Sequence, residues 1–166
     1  MSQRVFVISD LHLGGEAGFE MITAEGRGRL SRFIQSIAAQ HRPEHPCHLV
    51  INGDIVDFLA EQPFSAFTSD DALAEKKLER VFSGSAEVWD ALRALLQAGV
   101  ELSLLLGNHD LELSLPSPRR LLLQRLGPGR IDFSYDNQAL PMGGLLIEHG
   151  NRYDAWNMVD HNELRQ

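Results

Sequence analysis

Residues 5–12 read VFVISDLH, an apolar run that passes directly into polar residues, Asp10 and His12 among them. A run this short, bounded by turn residues, predicts a buried strand rather than a helix. Two later runs, at residues 49–51 and 102–106, have the same form and also end in polar side chains. The sequence therefore predicts three buried strands, each followed by polar residues of the types that act in catalysis or ligand binding.

The segments between these strands have the pattern of amphipathic helices. Apolar residues recur at helical spacing at Leu30, Phe33, Ile34, Ile37 and Ala38, and again at Val88, Trp89, Leu92, Leu95 and Leu96. Strands that alternate with helices are typical of a largely parallel sheet, in which ligands gather beyond the carboxyl ends of the strands. We therefore expect the polar residues after all three strands to lie at one edge of the sheet.

The second half of the chain has a different pattern. Ser117-Pro118 predicts the start of a helix, with Ser117 as its cap, and Gly127-Pro128-Gly129 predicts its end. Alternating residues from Ile131 onward, and a pair of short runs separated by Gly143-Gly144, predict antiparallel strands. Two interpretations remain open for the segment from Glu61 to Ser85: a helical cap beside the site, and a mobile surface insertion.

Composition limits the class of protein. The chain has 166 residues and a formal net charge of −8, and its Lys and Arg residues form no basic stripe, which disfavours binding to long nucleic acids. A single domain over residues 1–166 is expected. Cys47 is the only cysteine, which excludes an internal disulfide. With no secretory signal and no apolar run of roughly 20 residues, we expect a cytoplasmic protein that does not enter the membrane.

Four polar motifs follow apolar runs in order: Asp10-Leu11-His12, Gly53-Asp54-Ile55-Val56-Asp57, Gly107-Asn108-His109-Asp110 and His149-Gly150. As a set, they resemble the signature of the calcineurin-like metallophosphoesterase family, D-x-H, G-D-x-x-D, G-N-H-[D/E] and H-G. The resemblance runs from Asp10 to Asn151. It implies an α/β fold in which a mixed, two-sheet β-sandwich is flanked by helices, and an enzyme that hydrolyses phosphate mono- or diesters.

The resemblance also implies the ligands of two divalent metal ions. Asp10 and His12 would bind the first metal, Asn108 and His149 the second, and Asp54 would bridge both. Hard cations prefer oxygen and imidazole ligands, and Mn, Fe and Zn all accept this set, so the identity of the metal is open. A water held between the two cations would be the nucleophile that attacks the small phosphate-ester substrate.

By the same resemblance, His109 would hold the phosphate and protonate the leaving oxygen, and Asp110 would fix the orientation of His109. For Asp57, support of the neighbouring ligands and stabilisation of a turn are both open. Four polar residues after the last motif are candidates for contact with substrate: Arg152, Tyr153, Asp154 and Asn157.

Other conspicuous residues have simpler interpretations. Three histidines precede or enter the second strand: His41, His45 and His48. We expect them to be solvated loop residues at the edge of the sheet opposite Asp54, rather than a further metal site. Trp156 and Met158 are expected to be core residues.

The resemblance ends before the last motif of the family. That motif, G-H-x-H, supplies one histidine to each metal, and none follows Asn151. His161 is the one histidine left, and we expect it on a helix surface rather than as a substitute ligand. Two ligands and the last strands are thus expected to be missing, as in a fragment of a longer protein, leaving open sheet edges that a homodimer could cover. The alternative function is a non-catalytic scaffold or binding module with an incomplete metal site.

Overall fold

The computed structural model describes residues 3–136 and 138–160. Four strands form a parallel sheet in the order β1-β2-β3-β4, with bounds β1 (Arg4–Ile8), β2 (Cys47–Asn52), β3 (Glu101–Leu105) and β4 (Ile131–Ser134). The three buried strands predicted from the sequence are confirmed. The expectation that β4 is antiparallel is wrong, because the helix before it returns the chain to the starting end of β3, and Leu102 pairs with Ile131 in parallel register.

Four helices cover one face of this sheet: α1 (Ala24–Gln40), α2 (Asp71–Gly84), α3 (Ala86–Gln97) and α4 (Pro116–Leu126). The strands follow each other without reversal of order, so right-handed crossovers place all the helices on the same side. Strand side chains that point to that side, such as Leu49, Ile51 and Leu102, are fully buried with the helices in the main core.

A hairpin covers part of the other face. Strands β5 (Gln138–Met142) and β6 (Leu145–Glu148) pair in antiparallel fashion, as predicted, around Gly143-Gly144. Ala139 and Ile147 of the hairpin pack against Val50 and Leu105 of the parallel sheet in a second, smaller core. The molecule is therefore a mixed two-sheet α/β structure flanked by helices, as the resemblance implied.

Two segment predictions have different outcomes. Helix α4 begins at Pro116 with Leu115 in the cap position, so Ser117 is not the cap; its amide donates instead to Asp71 Oδ1 at 3.0 Å. The segment from Glu61 to Ser85 contains helix α2, which packs against α4. The segment is therefore helical, but none of its described residues lines the cavity where the motifs meet, so it is not a cap beside the site.

The prediction of solvated histidines is wrong for His48. It lies inside β2, is 4% exposed, and its Nε2 is 2.9 Å from Ser103 Oγ. The pleat directs it to the same side of the sheet as the buried Val50, and this burial lowers the pKa of its imidazole. His45 is exposed as expected, and His41 ends α1 and accepts the Cys47 amide at 3.2 Å.

The C-terminal part of the chain also departs from expectation. Trp156 and Met158 are 92% and 66% exposed, so the prediction that they are core residues is wrong. They lie on a loop after a short 3₁₀ turn, Gly150–Tyr153, whose residues 154–158 are all exposed. His161 lies outside the described residues. None of the helices in the described ranges has the length and apolar character needed to cross a membrane.

Candidate metal centre

The four motifs meet at one end of the two sheets, where β1, β2, β3 and β6 end. They line a single cavity of about 420 Å³. All of the side chains predicted to bind metal lie on its wall together with the predicted acid: Asp10, His12, Asp54, Asn108, His149 and His109. Residues far apart in the chain are thus brought together, which the metal-site hypothesis requires.

The first two motifs are aligned by backbone pairing that continues beyond the strands. The amide of His12 donates to Asp54 O at 2.9 Å, and the amide of Leu13 donates to Ile55 O at 2.9 Å. The amide of Asp57 returns a bond to Leu13 O at 3.0 Å. The two loops therefore form one rigid unit, and the positions of the side chains that they carry are coupled.

Three of the predicted ligands have unusual backbone angles. Asp10, His12 and Asp54 have φ angles of 55°, 44° and 53°. Residues other than glycine rarely adopt such angles, which cost roughly 1–3 kcal/mol each and persist where the surrounding structure enforces them. Their concentration on three predicted ligands indicates that the backbone is held so that these side chains face the cavity.

Asp54 is the central residue of the cluster. Its Oδ2 lies 3.4 Å from Nε2 of His149 and 3.9 Å from Nε2 of His12. The His12 Nε2 is in turn 4.0 Å from Oδ1 of Asp10. The other oxygen of Asp54 accepts the backbone amide of His109 at 2.9 Å. One carboxylate oxygen thus lies close to the Nε2 atoms of two histidines, which is the arrangement expected of a ligand that bridges two metals.

The hydrogen bonds of the two histidines fit metal binding. His149 Nδ1 is 2.6 Å from Asn52 O, and because a carbonyl can only accept, Nδ1 carries the hydrogen. His12 Nδ1 is 3.1 Å from a carboxylate oxygen of Asp57, which imposes the same tautomer. Nε2 is therefore the ring nitrogen that faces Asp54, and its lone pair can bind a metal when the ring is neutral, as in metal-ligating histidines whose other nitrogen is bonded to an acceptor.

The electrostatics of Asp54 and His149 indicate a site that favours positive charge. Burial acts to raise the pKa of Asp54, but the hydrogen bonds from His149 and from the His109 amide outweigh it and hold the pKa below its usual range. The hydrogen bond to Asp54 raises the pKa of His149 to about 9 against the opposing effect of burial. Asp54 is thus a buried anion that stabilises a cation beside it, the property required of a metal ligand.

His109 is oriented by Asp57. Its Nδ1 lies 3.1 Å from Asp57 Oδ2, and its ring packs edge-on against the ring of His12, with 4.8 Å between the centroids. The other oxygen of Asp57 accepts the amides of Leu59 and Ala60, which begin a 3₁₀ turn. Both interpretations of Asp57 left open by the sequence are therefore supported, since it holds two histidines and caps a turn.

The assignment of Asp110 as the residue that orients His109 is wrong. Asp110 is fully buried beneath the cavity, and its two oxygens accept the backbone amides of Gly107 and Ile55 at 2.7 and 2.8 Å. The tight turn after β3 directs consecutive side chains to opposite sides, so Asp110 points inward where His109 points outward. Burial raises the pKa of Asp110 to about 7. Asp110 ties the second and third motifs together through their backbones.

Further polar residues line the cavity that the resemblance did not assign. Asp154 and Asn157, two of the four candidates for substrate contact, lie on its wall, and Arg152 and Tyr153 instead bond to Glu148. Three other lining residues were not predicted from the sequence: Ser9, Asn52 and Asn151. Asn52 Oδ1 is buried and has no hydrogen-bond partner among the described residues, so it is available to a ligand. Its position directly before Gly53-Asp54, at the end of an apolar run, is the signal that could have found it.

Comparison with known proteins agrees with this geometry. The model of the calcineurin-like phosphoesterase family matches residues 3–166. No curated protein matches the chain. The family match spans nearly the whole chain, including every motif that lines the cavity. The chain therefore belongs to the calcineurin-like phosphoesterase family.

Proposed function

We propose that this chain hydrolyses phosphate mono- or diesters with two divalent cations, held by Asp10, His12, Asp54, Asn108 and His149. The observation that carries the proposal is the position of Asp54, whose Oδ2 lies 3.9 and 3.4 Å from the Nε2 atoms of two histidines at opposite ends of the chain. A buried carboxylate between two such nitrogens is suited to join two metal ions.

The remaining ligands divide around Asp54. Asp10 and His12 come from the loop after β1, and Asn108 and His149 come from the ends of β3 and β6. Bound cations would neutralise the charge of the phosphate and acidify the attacking water. Mn, Fe and Zn all suit carboxylate, imidazole and amide ligands, so the donor set does not select one metal.

His109 is the proposed general acid. Its Nδ1 is engaged by Asp57, which leaves Nε2 for the substrate. From the wall of the cavity it would donate to a phosphate oxygen and then supply a proton to the alcohol oxygen as the phosphorus–oxygen bond breaks.

The test is metal-dependent hydrolysis of p-nitrophenyl phosphate and bis-p-nitrophenyl phosphate after metal removal and addition of Mn²⁺. We expect activity that returns with the metal. Asp54→Asn should lower both bound metal and kcat by at least roughly 10²-fold, because one bridging oxygen is lost. Asp90→Asn, on the exposed side of α3, is the matched control and should leave both unchanged.

Two results would contradict the proposal. One is wild-type protein that takes up metal without hydrolysing either ester, which would favour the scaffold or binding module instead. The other is Asp54→Asn protein that retains full activity. The homodimer and the cytoplasmic location remain predictions; β1 lies at an edge of the described sheet, with Val7 47% exposed, where a second copy could bind.

A further inference from the structure

The cavity has a second wall, built by residues after the last motif. Asp154 and Asn157 line this wall. Asp154 Oδ1 accepts the amide of Trp156 at 2.9 Å, and its Oδ2 accepts from Asn157 Nδ2 at 2.9 Å. Asn151 Nδ2 donates to the backbone oxygen of Asn157 at 3.2 Å. The wall is therefore fixed by its own hydrogen bonds and presents a preformed polar surface to a substrate.

The charges on this wall select against a second anion. Among the described residues that line the cavity there is no Lys or Arg, and Asp154 adds a third carboxylate to those of Asp10 and Asp54. The hydrogen bonds from Trp156 and Asn157 hold the pKa of Asp154 below its usual range, so it is ionised at neutral pH. The cation nearest in sequence, Arg152, donates to Glu148 and lies over the ring of Tyr153, 5.8 Å from its centroid.

The chemistry of the wall matches hydroxyl groups. A carboxylate only accepts hydrogen bonds, and Asn157 has already used a donor on Asp154, so the oxygens of both side chains remain as acceptors. Hydroxyl groups donate to such acceptors without adding charge. A second phosphate would be repelled by Asp154 and would find no basic side chain on the described wall.

We infer that the alcohol part of the substrate carries hydroxyl groups and no second anionic group, as in a sugar or polyol, and that Asp154 and Asn157 bind those hydroxyl groups. This inference rests on the proposed function and names the substrate class for the same site. Water adds to phosphorus, the bond from phosphorus to the alcohol oxygen breaks, and the free polyol leaves after its oxygen takes a proton from His109.

The test compares kcat/KM in Mn²⁺ for esters that differ in the alcohol. Phenyl phosphate is paired with ribose 5-phosphate, diphenyl phosphate with diglyceryl phosphate, and ribose 1,5-bisphosphate supplies the second anion. Wild-type protein should prefer the hydroxyl-bearing member of the pair that it cleaves, and should use the bisphosphate at least roughly tenfold less well than ribose 5-phosphate.

Variants of the wall separate recognition from folding. Asp154→Ala and Asn157→Ala should each reduce the preference for the hydroxyl-bearing ester by about tenfold, the effect of one lost hydrogen bond to a charged or polar group. Asp154→Lys should raise the use of the bisphosphate relative to the monophosphate. Asp90→Ala is the matched control on an exposed helix face and should leave every ratio unchanged.

The outcomes are distinguishable. Activity on phenyl or diphenyl phosphate with the same ratios in wild-type and Asp154→Ala protein would overturn this inference and leave the proposed function standing. Equal use of ribose 1,5-bisphosphate and ribose 5-phosphate by the wild type would do the same. Absence of activity on every ester, with metal bound, would overturn both.

Discussion

Oδ2 of Asp57 lies 3.1 Å from Nδ1 of His109. The same oxygen is 3.1 Å from Nδ1 of His12, so one atom accepts from a proposed metal ligand and from the proposed general acid. Asp57 is 2% exposed and does not line the cavity, as far as the described residues show. Metal binding and proton transfer therefore depend together on a residue that touches neither the metal nor the substrate in our proposal.

Replacement of Asp57 by Asn tests this dependence. The amide oxygen of Asn can still cap the turn at Leu59 and Ala60, so the fold should persist, but the amide group is then turned toward the two imidazoles. We expect metal affinity to fall by about 10- to 100-fold, with a loss of kcat even at saturating metal. Isothermal titration and steady-state kinetics measure these effects, and thermal unfolding checks the fold.

Asp90→Asn is the control for this variant, since Asp90 is exposed and pairs with Arg125 at the surface. A normal metal affinity and kcat in Asp57→Asn would reduce Asp57 to a residue that stabilises a turn.

Removal of the His109 ring distinguishes an acid from a ligand. Because Asp57 still holds His12 when the His109 ring is removed, His109→Ala should lower kcat by roughly 10²- to 10⁴-fold while metal content is unchanged. Metal analysis of the purified variant, alongside kinetics, is the measurement. His45→Ala, in an exposed turn, is the matched control. Loss of metal from His109→Ala would make His109 a ligand instead.

Gly107 leaves the space that Asp54 occupies. A Cβ built on Gly107 would lie 2.0 Å from Asp54 Oδ1 and 2.6 Å from its amide nitrogen. Gly107→Ala should therefore displace the central carboxylate, destabilise the protein by about 1–3 kcal/mol and weaken metal binding at least tenfold. Denaturant unfolding without metal and metal titration separate the two effects.

Gly84 at the end of α2 is the control for this substitution. A Cβ there has no atom within 4 Å, so Gly84→Ala should be neutral or raise stability by up to about 1 kcal/mol. If Gly107→Ala bound metal as tightly as the wild type, Asp54 would not be the ligand that its position indicates.

The parts predictable from the sequence were those set by local pattern and by topology. Apolar runs gave β1, β2 and β3, and parallel order then required that Asp10, Asp54 and Asn108 meet at the same edge. The hairpin around Gly143-Gly144 was predictable because a glycine pair between two strand-like runs indicates a tight connection.

The parts that failed depend on three-dimensional contacts. Asp57 and Asp110 are both aspartates that follow a motif closely in the chain. Only the direction of each side chain in the fold determines that Asp57, and not Asp110, contacts His109. His48 is buried because the pleat of β2 turns it to the side of the sheet that the hairpin covers. The side that a residue faces changes at each position along a strand, so composition does not show it. Trp156 lies on an exposed loop, where its amide donates to Asp154 and its ring has no core to join.

Glu112 provides a test of stability that is independent of the metal. It is 1% exposed, in the 3₁₀ turn Leu111–Ser114, and its Oε1 accepts the amide of Thr68 at 3.1 Å. Burial raises the pKa of Glu112 from 4.5 to about 7. The folded state therefore holds a proton more tightly than the unfolded chain does. The protonated Glu112 carboxyl therefore contributes its full stability below its unfolded pKa of 4.5, and this contribution is lost as the pH rises through the folded pKa of about 7.

The free energy of unfolding of metal-free protein should thus fall between pH 4.5 and about pH 7, with up to about 3 kcal/mol due to Glu112. Glu112→Gln keeps an acceptor for Thr68 and cannot ionise, so its dependence on pH should be shallower. Part of the slope should remain, because the pKa of Asp110 is also raised to about 7. Urea unfolding at a series of pH values in the presence of a chelator measures the difference. Glu79→Gln, on the exposed side of α2, should keep the wild-type slope, and the same slope in Glu112→Gln would show that Glu112 is ionised throughout this range.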